Sequence, residues 1–233
     1  MSILISGAMG IYGQAIIKTA AAQKQTVLAL GRDEDKLDQQ KQAGLIKDYF
    51  VMAANSYEQH QQAYKAWLNT HQITVFIHCA GVGSKGSSLQ KESSPAITQS
   101  IDANVNYFFS LTQALMQSHA ASQCNKVIAI SSRRGSVGMA ADSTVSNAGC
   151  SYAYRIAKAA LNMTLCCLAE EFADTGPAFY AIHPGKLISK MGVGSADVEP
   201  LVSAQRLFKQ VINTDLAFGF YTLQDSNIAN LAW

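Results

Sequence analysis

The sequence has few charged residues, and its charges are nearly balanced. Charged side chains make up 15% of the 233 residues and the formal net charge is +2, whereas apolar residues make up 48%. So small an excess of positive charge does not indicate binding to nucleic acid or to a membrane surface. The apolar fraction excludes a disordered chain. We therefore expect a globular protein that binds neither nucleic acid nor membranes.

Cysteine pairs with the spacing of a metal site or a disulfide framework are also lacking. The five cysteines are odd in number and none forms a CxxC pair, so we predict no bound metal and reduced thiols in a cytoplasmic protein. The first apolar run lacks the basic segment of a signal peptide and is interrupted by Gly7, Gly10 and Gly13. The apolar run over 159–169 is too short to span a bilayer.

Short apolar runs alternate with helical patterns along the whole chain. The predicted strands are Ile3–Ser6, Thr26–Leu30, Lys47–Val51, Thr74–Cys79, Lys126–Ser131, Ala178–His183 and Ala217–Thr222. The predicted helical stretches are Ile11–Gln23, Asp33–Ala43, Ser56–Thr70, Ser93–Ser118 (one or two helices), Ser151–Asp174 and Asp197–Asn213. The alternation predicts an α/β fold, a doubly wound parallel sheet of about seven strands flanked by helices, in one domain over residues 1–233. Ligands bind such sheets beyond the carboxyl ends of the strands. We expect the loops 82–95, 133–151 and 186–200 to border the substrate.

A glycine-rich turn follows the first predicted strand and opens the first helix. It contains Gly7, Gly10, Ile11 and Gly13. Glycines in such a turn let the backbone approach a pyrophosphate, which the amino end of the helix attracts. The alternative is that they only close a tight turn between strand and helix. The strand–turn–helix context favours a dinucleotide.

The end of the second predicted strand carries an arginine instead of an acidic residue. Gly31 occupies the position where a carboxylate would bind the ribose 2′-hydroxyl of NAD, and Arg32 follows it. A guanidinium can pair with a 2′-phosphate, so NADP(H) is favoured and NAD(H) is the second choice. An ordinary surface arginine beside Asp33 is the alternative.

Tyr154 and Lys158 lie four residues apart and therefore share one face of a long predicted helix. A nearby ammonium stabilises a phenolate, which lowers the pKa of the phenol toward the range useful for acid/base catalysis. Alone, such a pair is more often a solvated surface pair. It is accompanied by Ser131 and Ser132 at the end of the fifth strand, where a hydroxyl can bind a substrate oxygen, and by Asn104. The combination predicts an active site.

Together these features resemble the short-chain dehydrogenase/reductase family over essentially the full length, and in particular its C-factor/sniffer-like branch. The resemblance rests on Gly7, Gly10, Gly13, Ala80-Gly81, Asn104, Ser131-Ser132, Tyr154, Lys158 and Pro184-Gly185-Lys186-Leu187-Ile188-Ser189. It implies a Rossmann fold and an NADP(H)-dependent oxidoreductase that moves hydride between the nicotinamide and a small carbonyl or alcohol substrate. It also implies a homo-oligomer, a dimer or a tetramer.

The resemblance assigns a role to each matching residue. Tyr154 would be the general acid/base, Lys158 would lower its pKa and hold the nicotinamide ribose, and Ser132 would polarise the substrate oxygen. Asn104 would hold a water that links Lys158 to solvent. The cofactor would contact Gly7, Gly10, Ile11, Gly13, Arg32, Ala80, Gly81, Tyr154, Lys158, Pro184, Gly185, Leu187 and Ser189.

Several departures from the family pattern leave alternatives open. Ile11 stands where the middle glycine is usual, and His78-Cys79 replaces two asparagines. The long stretch between Ser132 and Tyr154 leaves the choice between Ser131 and Ser132 undecided. A catalytically idle NAD(P)-binding sensor on the same scaffold is therefore an alternative function. An epimerase or dehydratase is a weaker one, because little chain follows the Pro-Gly motif.

Basic residues cluster near the expected substrate loops. Arg133, Arg134, Lys186 and Lys190 could border the pocket and would then favour an anionic substrate. The alternative is an ordinary solvated surface, where most basic residues lie.

Overall fold

The computed structural model describes residues 1–83, 88–142, 151–188 and 196–233. Within these ranges the strands are β1 (Ser2–Ser6), β2 (Thr26–Gly31), β3 (Asp48–Val51), β4 (Val75–His78), β5 (Lys126–Ile130), β6 (Ala178–His183), β7 (Gly219–Thr222) and β8 (Ala229–Asn230). They form one sheet in the order β3-β2-β1-β4-β5-β6-β7-β8. β1 to β7 are parallel, and β8 pairs with β7 antiparallel.

Helices cover both faces of this sheet. The α-helices of the described residues are α1 (Ile11–Ala22), α2 (Glu34–Gln42), α3 (Tyr57–Leu68), α4 (Ser94–Ile101), α5 (Tyr107–Met116), α6 (Val137–Ala141), α7 (Tyr152–Glu171) and α8 (Pro200–Leu207). Short 3₁₀ turns occupy Ala54–Ser56, His119–Gln123 and Arg133–Gly135, and π-helical turns occupy Asp102–Asn106 and Phe208–Ile212. Within the described parts of the chain, no helix is both long and apolar enough to span a bilayer.

The strands are apolar on both sides because each side faces a layer of helices. Ile3 and Ile5 point into a core shared with α1, α2 and α8, whereas Leu4 points into a second core shared with α3, α5 and α7. Parallel strands buried on both faces require such uninterrupted apolar runs. The predicted α/β class, with a doubly wound and mostly parallel sheet, is confirmed.

The structure adds detail to the sequence prediction at three places. β8 adds an eighth strand that the prediction of about seven omitted, because two exposed residues carry no alternating pattern. The stretch Ser93–Ser118, predicted as one or two helices, contains two α-helices joined by the π-turn Asp102–Asn106. The last helix begins at Pro200, because proline suits the first turn of a helix, where its missing N–H costs nothing.

The strand order reverses between β1 and β4. From β1 the connections lead outward to β2 and β3, and from β4 they lead in the opposite direction, to β5 and beyond. A crevice opens at such a switch point, beyond the carboxyl ends of the strands. Most of the predicted site residues directly follow β1, β2, β4, β5 or β6, whereas Asn104 lies between α4 and α5, and Tyr154 and Lys158 lie in α7. The topology therefore brings them to one edge of the sheet.

Candidate active site

The glycine-rich turn between β1 and α1 packs tightly against the chain that follows β4. Gly7 has a φ of +68°, and a Cβ there would lie 2.5 Å from the backbone nitrogen of Ala80. A Cβ on Gly13 would lie 2.4 Å from the carbonyl oxygen of Gly7. The protein's own packing therefore requires both glycines, and the left-handed conformation of the turn also requires Gly7.

Gly10 and Ile11 form the exposed part of the turn, at the amino end of α1. Ile11 is 49% exposed, and Gly10 is the residue that caps the helix. No described side chain caps this end, and the first turn holds no acidic residue. Because the first N–H groups of a helix lack intrahelical partners, they are available here to an anion. This end of α1 fits the pyrophosphate of a dinucleotide.

Arg32 lies exposed just after β2, next to a carboxylate that is already engaged. Asp33 caps α2 by accepting the backbone N–H of Lys36 at 3.2 Å, and it forms an ion pair with the ammonium of Lys36. Hydrogen bonds from Lys36 hold the pKa of Asp33 below its usual value. Asp33 is therefore tied to α2, and the exposed guanidinium of Arg32 fits a phosphate on the adenosine ribose.

Tyr154 lies in the first turn of α7 and faces the end of β5. The hydroxyl of Ser151 caps this helix by accepting the backbone N–H of Tyr154 at 3.3 Å. The side chain of Ser132 lies close enough to the hydroxyl of Tyr154 to lower the pKa of the phenol. Ser131 instead donates to Oδ1 of Asn162 at 2.5 Å, inside the protein. Of the two serines that the sequence left undecided, Ser132 is the one that faces Tyr154.

Lys158 lies one turn further along α7 and is almost completely buried. Its Nζ is 5.8 Å from the centroid of the Tyr154 ring and donates to the carbonyl oxygen of Ile130 at 2.8 Å. Burial lowers the pKa of Lys158 from 10.5 to about 8. Burial also raises the pKa of Tyr154 above its usual 10.0, although Ser132 and Arg134 act in the opposite direction. The sequence predicted a lowered pKa for this phenol; the direction is the reverse, because desolvation outweighs the neighbouring charges.

Asn104 occupies the π-turn, a deviation often found at functional sites. Its Nδ2 donates to the carbonyl oxygens of Val82 at 3.0 Å and Ser100 at 2.9 Å. Its Oδ1 is buried and has no hydrogen-bond partner in the described part of the chain. A Cβ on Gly81 would lie 2.4 Å from this oxygen and 3.5 Å from Nζ of Lys158. Gly81 thus packs directly against an unsatisfied acceptor, near an ammonium, and this acceptor suits a water or a hydroxyl as its partner.

The segment after β6 borders the same edge of the sheet. Gly185 has a φ of +90°, and the carbonyl oxygen of Pro184 accepts the hydroxyl of Ser203 at 2.6 Å. Ser203 also lies 3.0 Å from the hydroxyl of Tyr12 on α1, so the segment is joined to both α8 and α1. Leu187 forms a bridge with Val198. Ser189 and Lys190, which the sequence analysis singled out, lie outside the described residues.

His78 joins the ends of β1 and β4. Its Nδ1 lies 2.7 Å from the hydroxyl of Ser6, and the ring is fully buried among Phe76, Tyr107 and Phe108. Burial lowers the pKa of His78 to about 3, and the charge of Lys158 acts in the same direction. The imidazole is therefore neutral and braces the sheet below the glycine-rich turn.

Two bracing residues were assigned no role in the sequence analysis. Asn162 accepts from Ser131 and donates to the carbonyl oxygen of Gly135 at 3.3 Å, which fixes the loop after β5 on α7. The carboxylate of Glu92 accepts the hydroxyl of Ser151 and the backbone N–H of Ala153, both at 3.3 Å. Glu92 lies far from α7 in sequence, so no local pattern could have indicated this contact.

Comparison with known proteins gives a consistent picture. The family model described as short chain dehydrogenase matches residues 1–199. The uncharacterized oxidoreductase YciK of Escherichia coli (strain K12) is 29% identical over 147 residues, which cover 59% of this chain and 58% of YciK. The match thus spans little more than half the length of this curated relative.

Solved structures share the fold along almost the whole chain. Carbonyl reductase Sniffer of D. melanogaster has a TM-score of 0.83 at 19% identity, with 100% of this chain and 99% of that one covered. The NADPH-bound carbonyl reductase from chicken fatty liver has a TM-score of 0.80 at 22% identity, with 100% and 98% covered. A short-chain dehydrogenase/reductase from Burkholderia multivorans with bound NADP has a TM-score of 0.81 at 20% identity, with 100% and 99% covered. Since the family model covers most of the sequence, the chain belongs to the short-chain dehydrogenase family of oxidoreductases.

Proposed function

We propose that the chain catalyses reversible hydride transfer between NADP(H) and a carbonyl or alcohol substrate, with Tyr154 as the general acid and base. The observation that carries this proposal is the approach of the Ser132 side chain to the hydroxyl of Tyr154, beside the buried side chain of Lys158. A carbonyl oxygen between the two hydroxyls would accept a hydrogen bond from each of them. Both bonds strengthen as negative charge develops on that oxygen.

The protonation states suit carbonyl reduction. Because burial raises the pKa of Tyr154, its phenol keeps its proton near neutral pH and can donate it to the substrate oxygen. Lys158, with a pKa of about 8, exchanges its proton in the same pH range and can restore the proton of Tyr154. The unsatisfied Oδ1 of Asn104 would accept a water between Lys158 and the solvent. In the oxidative direction the same groups move the proton outward.

The described residues fit a nicotinamide dinucleotide. The amino end of α1 at Gly10 and Ile11 would hold the pyrophosphate, and the ammonium of Lys158 would bind a ribose hydroxyl. When bound, the nicotinamide supplies or accepts the hydride. The exposed Arg32 supports NADP(H) over NAD(H). Two similar structures, at 22% and 20% identity, contain bound NADPH and bound NADP, respectively.

A nucleotide titration followed by a substrate screen tests the proposal. NADPH and NADH are titrated against the purified protein, and aldehydes, ketones, quinones and pteridines are then screened for nucleotide oxidation. We expect tighter binding of NADPH than of NADH and turnover of at least one carbonyl class. NADPH binding without turnover on the whole panel would instead support a catalytically idle sensor, and no binding of either nucleotide would refute both functions.

We further propose a homodimer in the cytoplasm. Apolar side chains on α5 and α7 are exposed, among them Phe109 at 46% and Met163 at 63%, and a second copy of the chain would cover them. The cysteines of the described residues are free thiols, as is usual in a reducing compartment. Light scattering of the purified protein would show twice the mass of one chain; the mass of a single chain would refute the dimer.

A further inference from the structure

Two arginines follow Ser132 directly and are held in place by the fold. Arg133 and Arg134 belong to a 3₁₀ turn, which the hydroxyl of Ser132 caps by accepting the backbone N–H of Arg134 at 3.2 Å. A Cβ on Gly135 would lie 2.7 Å from the carbonyl carbon of Lys158, so the turn packs on α7 without space between them. The two guanidinium groups therefore start from a fixed place beside the candidate active site.

A buried imidazole lies next to this turn. The backbone N–H of Ser131 donates to the carbonyl oxygen of Ile182 at 2.7 Å, so the chain leaving β5 runs alongside the end of β6, at His183. His183 is 7% exposed, and neither of its ring nitrogens has a hydrogen-bond partner among the described residues. Buried polar atoms are nearly always hydrogen-bonded. Two unsatisfied nitrogens on one ring therefore indicate a polar ligand or water at this place.

The charges around His183 are positive. Burial is the main cause that lowers the pKa of His183 to about 3, and the charges of Arg133 and Lys186 add to it. The ring is therefore neutral, and one of its nitrogens carries a hydrogen that it can donate. The carboxylate of Asp197 lies 3.9 Å from Nζ of Lys186. No described carboxylate forms an ion pair with Arg133, so no neighbouring negative charge compensates its positive charge.

We propose that Arg133 and His183 form an anion subsite, and that the preferred substrates are carbonyl compounds that carry a carboxylate. This inference rests on the proposed function, because it places the substrate carbonyl at Ser132 and Tyr154. The guanidinium presents paired N–H groups that match the two oxygens of a carboxylate, and the imidazole N–H adds another donor. Arg133 is then a specificity-determining residue, and Lys186 contributes a longer-range attraction.

A pair of substrates with one carbonyl group and different charge tests the subsite. The initial rates of NADPH oxidation are measured with 4-carboxybenzaldehyde and with its methyl ester, methyl 4-formylbenzoate. We expect the acid to have a KM about tenfold below that of the ester, a factor typical of a hydrogen bond to a charged group. Arg133→Gln should remove this preference by raising KM of the acid about tenfold more than KM of the ester. Lys47→Gln, which removes an exposed charge just before β3, is the matched control and should change neither value.

A binding measurement separates this inference from the proposed reaction. Benzoate and benzamide are titrated calorimetrically into the NADP-saturated protein, its Arg133→Gln variant and its Arg133→Lys variant. We expect benzoate to bind about tenfold more tightly than benzamide, to lose this advantage in Arg133→Gln, and to keep part of it in Arg133→Lys. Benzoate binding through Arg133 without turnover of any carbonyl would support the subsite and refute the reaction. Turnover of the neutral ester with no preference for the acid or for benzoate would refute the subsite alone.

Folding of the variants does not decide the outcome. If Arg133→Gln fails to give a cooperative melting transition, the wild-type preference is measured at low and high salt. An interaction with a charged subsite weakens as the Debye length falls from about 10 Å at 0.1 M salt to about 3 Å at 1 M. A preference for the acid that does not change with salt would overturn the proposal.

Discussion

Replacing Lys158 by methionine should stabilise the free protein near neutral pH and abolish its turnover. Lys158 is 5% exposed, and the pKa of its ammonium falls from 10.5 to about 8 in the folded state. At about 1.4 kcal/mol for each pH unit between the two values, the folded state loses about 3 kcal/mol of stability wherever the lysine is charged in both states. Methionine has a similar length and carries no charge, so it removes this cost.

The gain is smaller than the whole cost because one hydrogen bond is lost. Nζ of Lys158 donates to the carbonyl oxygen of Ile130 at 2.8 Å, and leaving that oxygen without its partner costs about 1 to 2 kcal/mol. We therefore expect Lys158→Met to raise the free energy of unfolding by about 1 to 2 kcal/mol at about pH 7.

The pH dependence of the free energy of unfolding is a second, independent test of the destabilisation by Lys158. Between the folded pKa of about 8 and the unfolded value of 10.5, the unfolded chain binds more protons than the folded one, so wild-type stability rises with pH across this window. The destabilisation by Lys158 should fall by about 2 kcal/mol between about pH 7 and about pH 9.5. Urea denaturation of wild type and Lys158→Met at both pH values, without nucleotide, measures the difference. A difference in unfolding free energy that is the same at both pH values would refute the reasoning.

Three further variants test single contacts. Arg32→Ala should weaken NADPH binding about tenfold or more and leave NADH binding nearly unchanged, as measured by nucleotide titration; equal losses would contradict the assignment. Gly81→Ala would place a Cβ 2.4 Å from Oδ1 of Asn104. It should lower the free energy of unfolding by about 1 to 3 kcal/mol and reduce kcat. An unchanged melting temperature would show that Asn104 moves freely. Asn162→Ala would leave the buried hydroxyl of Ser131 without its partner, at a cost of about 1 to 3 kcal/mol in thermal melting, and unchanged stability would show that the contact contributes nothing.

The fold was predictable because its strongest signals are local. β1 and β5 are short apolar runs bounded by polar residues, and buried parallel strands need such runs on both faces. The two-residue strand β8 could not be found this way, since it is exposed and is defined only by its pairing with β7. The π-turn around Asn104 has no recognised sequence signature, and it packs on α7, which is distant in sequence.

The site was predictable in position and less so in its chemistry. Ser132, Tyr154 and Lys158 are brought together, because strand ends and the first turns of helices meet at one edge of a doubly wound sheet. The raised pKa of Tyr154 could not be read from sequence, because it depends on how much water the folded chain excludes. The contact of Glu92 with the amino end of α7 joins distant segments and has no local signal.

The most direct test of the account compares two tyrosine variants of the same helix. Tyr154→Phe keeps the ring and removes the hydroxyl that the account requires, whereas Tyr152→Phe removes a hydroxyl from a side chain that is 46% exposed. We predict that Tyr154→Phe lowers kcat by about a hundredfold to ten-thousandfold, the contribution of a general acid, and binds NADPH as tightly as wild type. Tyr152→Phe should retain both properties. Wild-type turnover in Tyr154→Phe would contradict the central claim.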